Sequence, residues 1–173
     1  YSVERSLRIA RYKSGKYTIE RPLHLGAVMA RPSASEHSEL LNVLSAYGLP
    51  LGEAFQLRDD LLGIFGDPET TGKPAGDDLR EGKRTVLMAM TLEKAQGAAR
   101  EELVKNLGNP ALSSEKIDSL RTLITETGAV ADVEKLIDRL GEESRAAANS
   151  SAIHPDARPF LLALAETAIR RSH

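Results

Sequence analysis

The sequence predicts an all-α fold, a bundle of helices with no β-sheet. Apolar residues recur at helical spacing along most of the 173 residues, and no stretch shows the strict alternation that is typical of a strand. Short breaks of Gly, Pro and Asn separate the helical stretches. The hydrophobic fraction of 41% and the charged fraction of 28% suit a globular protein. The length fits one compact domain or a large piece of a bigger one.

The first predicted helix covers about Ser2–Tyr12 and continues unevenly to Met29. Gly15 and Pro22 disturb it, because Gly lowers helix stability and Pro lacks the amide hydrogen that helical pairing needs. No entry signal precedes this helix, and the chain begins at Tyr1 rather than at Met. We therefore expect a fragment of a longer protein.

A second, long helix is predicted from the start signal at Ser33–Glu36 to Phe65, with Pro50 as a kink rather than an end. Residues 66–84 combine several glycines and two prolines with many charges, so we expect a long structured loop. Further helices are predicted near Thr85–Leu107, Ser114–Glu126, Ala129–Asn149 and Pro155–Arg171.

The charge and residue composition exclude several classes of protein. The net charge is −2. A chain with this charge lacks the concentrated positive field that nucleic acid binding needs. No apolar run approaches the roughly 20 residues of a transmembrane segment. The chain has no cysteine, so disulfides and thiolate metal sites are impossible. The default expectation is a cytoplasmic protein.

One narrow polar stripe marks the second helix. At 100° per residue, Gln56, Asp59, Asp60 and Gly63 fall within about 100° of one another. Almost all neighbouring residues are apolar. A helix that is apolar nearly all the way round is buried in a larger protein, so the stripe is predicted to line an internal cavity.

Two adjacent carboxylates in such a cavity predict a bound cation. Burial and mutual repulsion would otherwise raise the pKa of each carboxyl. All-oxygen ligands favour Mg²⁺, which usually shares one or two carboxylates with the phosphates of a substrate. The pattern therefore indicates a phosphorylated ligand.

The following loop provides groups that suit a diphosphate. Thr71–Pro74 and Glu81–Thr85 each place a cation beside a glycine, where the backbone can approach a phosphate closely. Asp77 and Asp78 add oxygens that can bind metal-bound water or hold Lys73. On the residues alone, a solvated Asp-Asp pair or a helix cap remains an alternative interpretation.

The motifs together resemble those of the trans-isoprenyl diphosphate synthases. Residues 55–63 read Phe-Gln-Leu-Arg-Asp-Asp-Leu-Leu-Gly and resemble the second aspartate-rich motif of that family. Other matching segments are Gly66–Pro68, Thr71–Lys73, Gly76–Leu79, Gly82–Thr85, Lys13–Gly15, Leu23–Ala30, Tyr47–Gly48 and Gly52–Gln56. The chain is most similar in its loop to geranylgeranyl diphosphate synthase-like members. The resemblance covers about the first half of the chain; beyond Met90 the helical pattern is only compatible.

The resemblance implies the C-terminal part, residues 1–173, of a single polyprenyl synthetase domain whose N-terminal half is absent. It implies a Mg²⁺-dependent transferase that joins isopentenyl diphosphate to an allylic diphosphate and makes a longer product, of geranylgeranyl type. By this resemblance, Asp59 would bind Mg²⁺ directly and Asp60 would bind it through water. Diphosphate binding is implied for Lys13, Lys73 and Lys83. A position in the substrate pocket is implied for Ser14, Phe55 and Gln56. Members are usually dimeric, and apolar faces left uncovered by the missing half also lead us to expect a homo-oligomer.

Two departures from the family pattern stand out. Gly63 occupies the fifth position of the motif, where an Asp is usual, and Ser14 replaces the usual Thr. Asp67, one turn later, is a candidate to compensate for the missing acid, with Asp77 and Asp78 as further outer carboxylates.

Two alternatives stay open. A class I terpene cyclase-like enzyme shares the Mg²⁺–diphosphate chemistry, although the loop at 71–85 and an aromatic fraction of only 4% favour the synthase. The second alternative is a non-catalytic helical subunit of a heteromeric synthase. This alternative is disfavoured because the chain retains Asp59, Asp60, Lys73 and Lys83.

We predict that this chain by itself is inactive, because the first aspartate-rich motif and the basic isopentenyl diphosphate pocket are not among its residues. The purified chain with Mg²⁺ and both diphosphates should give no prenyl transfer. Measurable transfer would contradict the prediction.

Overall fold

The structure is a computed structural model, and it describes residues 2–30, 37–72 and 76–171. All regular secondary structure in these ranges is helical, which confirms the predicted all-α class. The start signal predicted at Ser33–Glu36 and the loop residue Lys73 lie outside the described residues.

The helices follow one another through short connections. Their bounds are α1 Val3–Ala10, a π-helical segment Arg11–Glu20, α2 Arg21–Ala30, α3 His37–Phe65, α4 Pro68–Thr71, α5 Asp77–Glu81, α6 Val86–Lys94, α7 Gly97–Asn106, α8 Ser114–Glu126, α9 Ala129–Ala148, a 3₁₀ turn Pro155–Ala157 and α10 Arg158–Arg170. The predicted helices at 114–126 and 129–149 are confirmed nearly to the residue. Helix α3 runs through Pro50 without ending, as predicted.

The uneven first helix is continuous, with ten π-helical residues in its middle. Gly15 does not break it, and its missing side chain has a packing role. A Cβ on Gly15 would lie 3.1 Å from the carbonyl oxygen of Leu49, and one on Gly52 would lie 2.5 Å from the Cα of Gly15. Paired glycines thus let the π-helical segment and α3 pack backbone against backbone.

Two predicted segments differ from the structure. The single helix predicted at 85–107 is wrong, because the chain breaks between α6 and α7 at extended residues Ala95 and Gln96 and at Gly97, whose φ of +52° lies in the left-handed region. The predicted loop at 66–84 contains two short helices, α4 and α5. Each of them ends at a left-handed glycine, Gly72 or Gly82, which ends a helix without the steric strain that a side chain would cause.

The chain forms two compact units. Within the described residues, the first comprises 2–7, 57–72 and 76–135, and the second comprises 8–30, 37–56 and 136–171. The fully buried large side chains of the first unit are Leu57, Ile64, Leu79, Leu87, Met88, Leu103, Ile117, Leu120 and Ile124. Those of the second unit are Tyr47, Leu51 and Ile137. Each unit therefore has an apolar core of its own.

Among the described residues, none of the helices combines the length and the apolar character that crossing a lipid bilayer requires.

Tyr47 provides a test of the core of the second unit. Its side chain is 0% exposed, and its hydroxyl donates a hydrogen bond of 2.8 Å to the carbonyl oxygen of Leu161. We predict that Tyr47→Phe lowers the free energy of unfolding at pH 7 by about 1–2 kcal/mol, because this hydrogen bond is lost. Urea unfolding measures the change, and Tyr17→Phe, at a position 79% exposed, is the matched control.

The same residue gives the stability a pH dependence. Burial raises the pKa of Tyr47 to about 12, above the value of about 10 in an unfolded chain. The contribution of the neutral phenol is therefore complete below about pH 10 and is lost as the pH rises towards 12. Between pH 7 and pH 11 the free energy of unfolding should therefore fall less in Tyr47→Phe than in the unaltered chain. Equal free energies of unfolding of the two proteins at both pH values would contradict this assignment.

Candidate functional site

The two adjacent acids predicted to bind metal lie on the part of α3 that belongs to the first unit. Asp60 is buried, with 5% exposure, and Asp59 is half-buried. Leu57, Leu61 and Ile64 surround them on the same helix and are buried. A carboxyl group in such surroundings requires a compensating polar or charged partner.

Asp60 has such a partner at the N-terminus of α6. Its Oδ2 accepts a hydrogen bond of 3.3 Å from the backbone N–H of Val86, the first residue of that helix. Thr85 caps the same helix by accepting a bond of 3.1 Å from the N–H of Met88. The partial positive charge of a helix N-terminus stabilises a nearby carboxylate. Asp60 thus has a partner other than a cation, which could not be predicted because no sequence pattern aligns Asp60 with residue 86.

Asp78 and Lys83 form an ion pair at the loop that follows. Asp78 is 6% exposed, and its Oδ1 lies 2.5 Å from the Nζ of Lys83. Glu81 adds a second carboxylate 2.9 Å from the same ammonium. Burial alone would lower the pKa of Lys83, but the two carboxylates outweigh it and raise the pKa above its ordinary value. Lys83 is therefore held as a cation.

The other two acids predicted in this region occupy helix starts. Asp67 is exposed and caps α4, since its Oδ1 accepts a hydrogen bond of 3.1 Å from the N–H of Glu69. Asp77 is half-buried in the first turn of α5. Asp67 thus accepts a hydrogen bond from a backbone donor at the start of its helix, and Asp77 lies where the helix dipole stabilises a negative charge.

Arg58, on α3 beside the two acids, forms an ion pair with Glu134. Its Nη1 and Nη2 each lie 2.7 Å from one carboxylate oxygen of Glu134, in a bidentate arrangement within the first unit. This pair ties α3 to α9 beside the two acids.

The predicted pocket residues fall in the second unit. Ser14 is 3% exposed, and its hydroxyl donates a hydrogen bond of 2.8 Å to the Oε1 of Gln56. Phe55 is half-buried, with the guanidinium of Arg171 4.6 Å from its ring centroid. Lys13 is exposed on the π-helical segment. Ser14 and Gln56, both predicted to line the substrate pocket, are therefore in direct contact.

The first unit thus brings together carboxylates and a lysine whose chemistry fits Mg²⁺ shared with a diphosphate. Within the described residues, no group of three His, Cys, Asp or Glu side chains is placed to hold a metal ion. Mg²⁺ rarely takes an all-protein cage and normally completes its shell with water and phosphate oxygens. The acids therefore fit a metal site that the ligand completes.

Comparison with known proteins gives consistent matches. The sequence model of a family described as Polyprenyl synthetase matches residues 1–124. A geranylfarnesyl diphosphate synthase of Aeropyrum pernix is 38% identical over 124 residues, which are 72% of this chain and 36% of that protein. The chain spans about a third of the length of the curated relatives it matches.

Solved structures match nearly the whole chain. A geranylgeranyl pyrophosphate synthase from Corynebacterium glutamicum, complexed with isoprenyl diphosphate and magnesium, has a TM-score of 0.90 and 44% identity over 98% of this chain and 47% of its own. A polyprenyl synthase from Caulobacter crescentus, complexed with calcium and isoprenyl diphosphate, has a TM-score of 0.81 and 31% identity over 97% of this chain and 49% of its own. The structural match therefore extends well beyond Met90, where the sequence resemblance became weak.

We predict that Asp60→Ala lowers the free energy of unfolding by about 1–3 kcal/mol, because the buried N–H of Val86 loses its acceptor. Asp60→Asn keeps an acceptor oxygen and should lose less. Asp138→Ala, on the exposed face of α9, is the control and should stay within about 0.5 kcal/mol of the unaltered chain. Chemical denaturation measures all three, and an Asp60→Ala protein as stable as the control would exclude the contact with α6.

Proposed function

The chain belongs to the polyprenyl synthetase family, and from this membership we propose that it is the C-terminal part of a single-domain prenyltransferase. The reaction proposed for the whole protein joins isopentenyl diphosphate to an allylic diphosphate. The carbon–oxygen bond of the allylic diphosphate breaks, the isopentenyl double bond attacks the resulting cation, and a proton leaves. The product is a longer polyprenyl diphosphate, of geranylgeranyl type.

The observation that carries the proposal is the different environment of the two adjacent acids. Asp60 is buried against the N-terminus of α6, whereas Asp59 is half-buried beside it. We assign Asp59 as the direct ligand of Mg²⁺ and Asp60 as an acid that acts through a metal-bound water. When bound, Mg²⁺ would stabilise the charge that builds on the departing pyrophosphate.

Lysines supply the remaining positive charge in this proposal. Lys83, which two carboxylates keep protonated, is assigned to a diphosphate oxygen. Lys13 is exposed and able to reach an anion, and the role of Lys73 rests on the resemblance of its Thr-Gly-Lys segment alone. Arginine and lysine side chains at such sites act as fixed charges that need no reorganisation during the reaction.

We assign Ser14, Phe55 and Gln56 to the substrate pocket because their segments resemble those of the family. The hydrogen bond from Ser14 fixes which end of the Gln56 amide faces the π-helical segment. Phe55 supplies an aromatic face on the preceding position of α3. Apolar walls of this kind protect a carbocation from water.

The remaining parts of the proposal concern the whole protein. We propose that the whole protein is a cytoplasmic homo-oligomer with Mg²⁺ as cofactor. We also propose that the present chain is inactive by itself. The relatives named above are synthases, so neither a terpene cyclase nor a non-catalytic subunit is favoured over the synthase.

The proposal predicts Mg²⁺-dependent binding of inorganic pyrophosphate by the chain. In calorimetry with excess MgCl₂, Asp59→Ala should weaken this binding by at least tenfold, because a direct ligand is lost. Asp138→Ala, an exposed acid on α9, should bind like the unaltered chain. Equal binding by both variants would contradict the proposed site.

A further inference from the structure

The turn of residues 107–113, which connects α7 to α8, contacts the short helix α5 within the first unit. No role for this turn was predicted from the sequence. The backbone N–H of Gly108 donates a hydrogen bond of 2.8 Å to the carbonyl oxygen of Leu79. In the opposite direction, the Nε and Nη2 of Arg80 donate bonds of 3.3 and 3.2 Å to the carbonyl oxygen of Leu112. The turn and α5 are therefore bonded to each other from both sides.

Glycines let α5 lie directly against this part of the unit. A Cβ on Gly82, at the end of α5, would lie 2.9 Å from the Cα of Gly108. A Cβ on Gly76, at the start of α5, would lie 2.6 Å from the Cγ2 of Ile117 on α8. Real Cβ atoms essentially never approach other heavy atoms this closely. Both ends of α5 thus pack at a distance that only glycine allows.

The helix α5 depends on such outside contacts because it is only five residues long. Isolated helices of that length are not stable in water, and the carbonyl groups at a helix end have no partner within the helix. Gly108 supplies the shorter of two hydrogen bonds to the carbonyl oxygen of Leu79, the other being one of 3.3 Å from the N–H of Gly82. Lys83 follows Gly82 directly, so the turn holds the backbone from which the lysine side chain extends.

We propose that Gly108 is a positioning residue of the diphosphate site, and that the turn at 107–113 fixes the place of Lys83 through the end of α5. The inference rests on the proposed function, which assigns Lys83 to a diphosphate oxygen. Gly108 has a φ of +83°, in the left-handed region that side chains disfavour. This backbone conformation aims its N–H at Leu79. The connection between α7 and α8 thereby contributes to the site without touching the ligand.

Gly108→Ala tests the proposal through the backbone conformation alone. The added Cβ meets no clash among the described residues, since its nearest neighbour would be the Cα of Gly82 at 3.7 Å. Alanine is strained at this φ, so relaxation should turn the N–H away from Leu79. We expect Mg²⁺-dependent binding of inorganic pyrophosphate, measured by calorimetry, to weaken about tenfold. Gly108→Asn should bind like the unaltered chain, because Asn tolerates the left-handed region.

Gly128→Ala is the matched control in the same unit. The φ of Gly128 is +75°, so alanine suffers a similar backbone strain there. Among the described residues, its Cβ would come near only the Nζ of Lys94, at 3.9 Å. Gly108→Ala and Gly128→Ala should lower the melting temperature to a similar extent, but only Gly108→Ala should lose pyrophosphate affinity. A merely structural role for Gly108 predicts equal affinities of the two variants.

The outcomes separate the two proposals. If Asp59→Ala weakens binding while Gly108→Ala binds like Gly128→Ala, the inference on Gly108 is wrong and the proposed function stands. The inference is also wrong if Gly108→Asn loses as much affinity as Gly108→Ala, because the left-handed backbone is then not the cause. If the unaltered chain shows no Mg²⁺-dependent binding, or Asp59→Ala leaves it unchanged, the proposed function fails and the role of Gly108 with it.

Discussion

The burial of acidic side chains against the apolar part of α3 constrains the whole first unit. A carboxylate removed from water must be compensated by donors, dipoles or cations. Asp60 accepts a hydrogen bond at the N-terminus of α6, and Asp78 forms an ion pair with Lys83. The first contact joins α6 to α3, and the carboxyl group of Asp78 also packs against Gly63 of α3. A metal ion and a diphosphate would add to this compensation rather than provide all of it.

Glycines determine how closely the groups of the proposed site can approach. Gly52 and Gly15 allow the backbones of α3 and the π-helical segment to touch, which sets the Ser14 hydroxyl beside Gln56. Gly63 allows the carboxyl of Asp78 to lie directly on α3. In each case a side chain is absent because a neighbouring atom takes its place.

The sequence predicted the helices well where apolar periodicity was uninterrupted, as in α3, α8 and α9. It failed at 85–107, because the left-handed Gly97 sits inside an otherwise helical pattern and a single glycine does not reveal its own φ. The acid pair at 59–60 was predicted from its apolar surroundings. The contacts of Asp60 with Val86 and of Asp78 with Gly63 could not be predicted, because both join residues more than ten positions apart through tertiary packing.

The central claim is that Asp59 binds a metal ion which a diphosphate completes. The most direct measurement is a crystal structure of the chain grown with Mn²⁺ in place of Mg²⁺ and inorganic pyrophosphate, with the metal located by its anomalous signal. We predict an ion in direct contact with a carboxylate oxygen of Asp59, roughly 2.0–2.2 Å away, with pyrophosphate oxygens completing its shell. An ion bound elsewhere, with Asp59 facing bulk solvent while pyrophosphate is present, would contradict it.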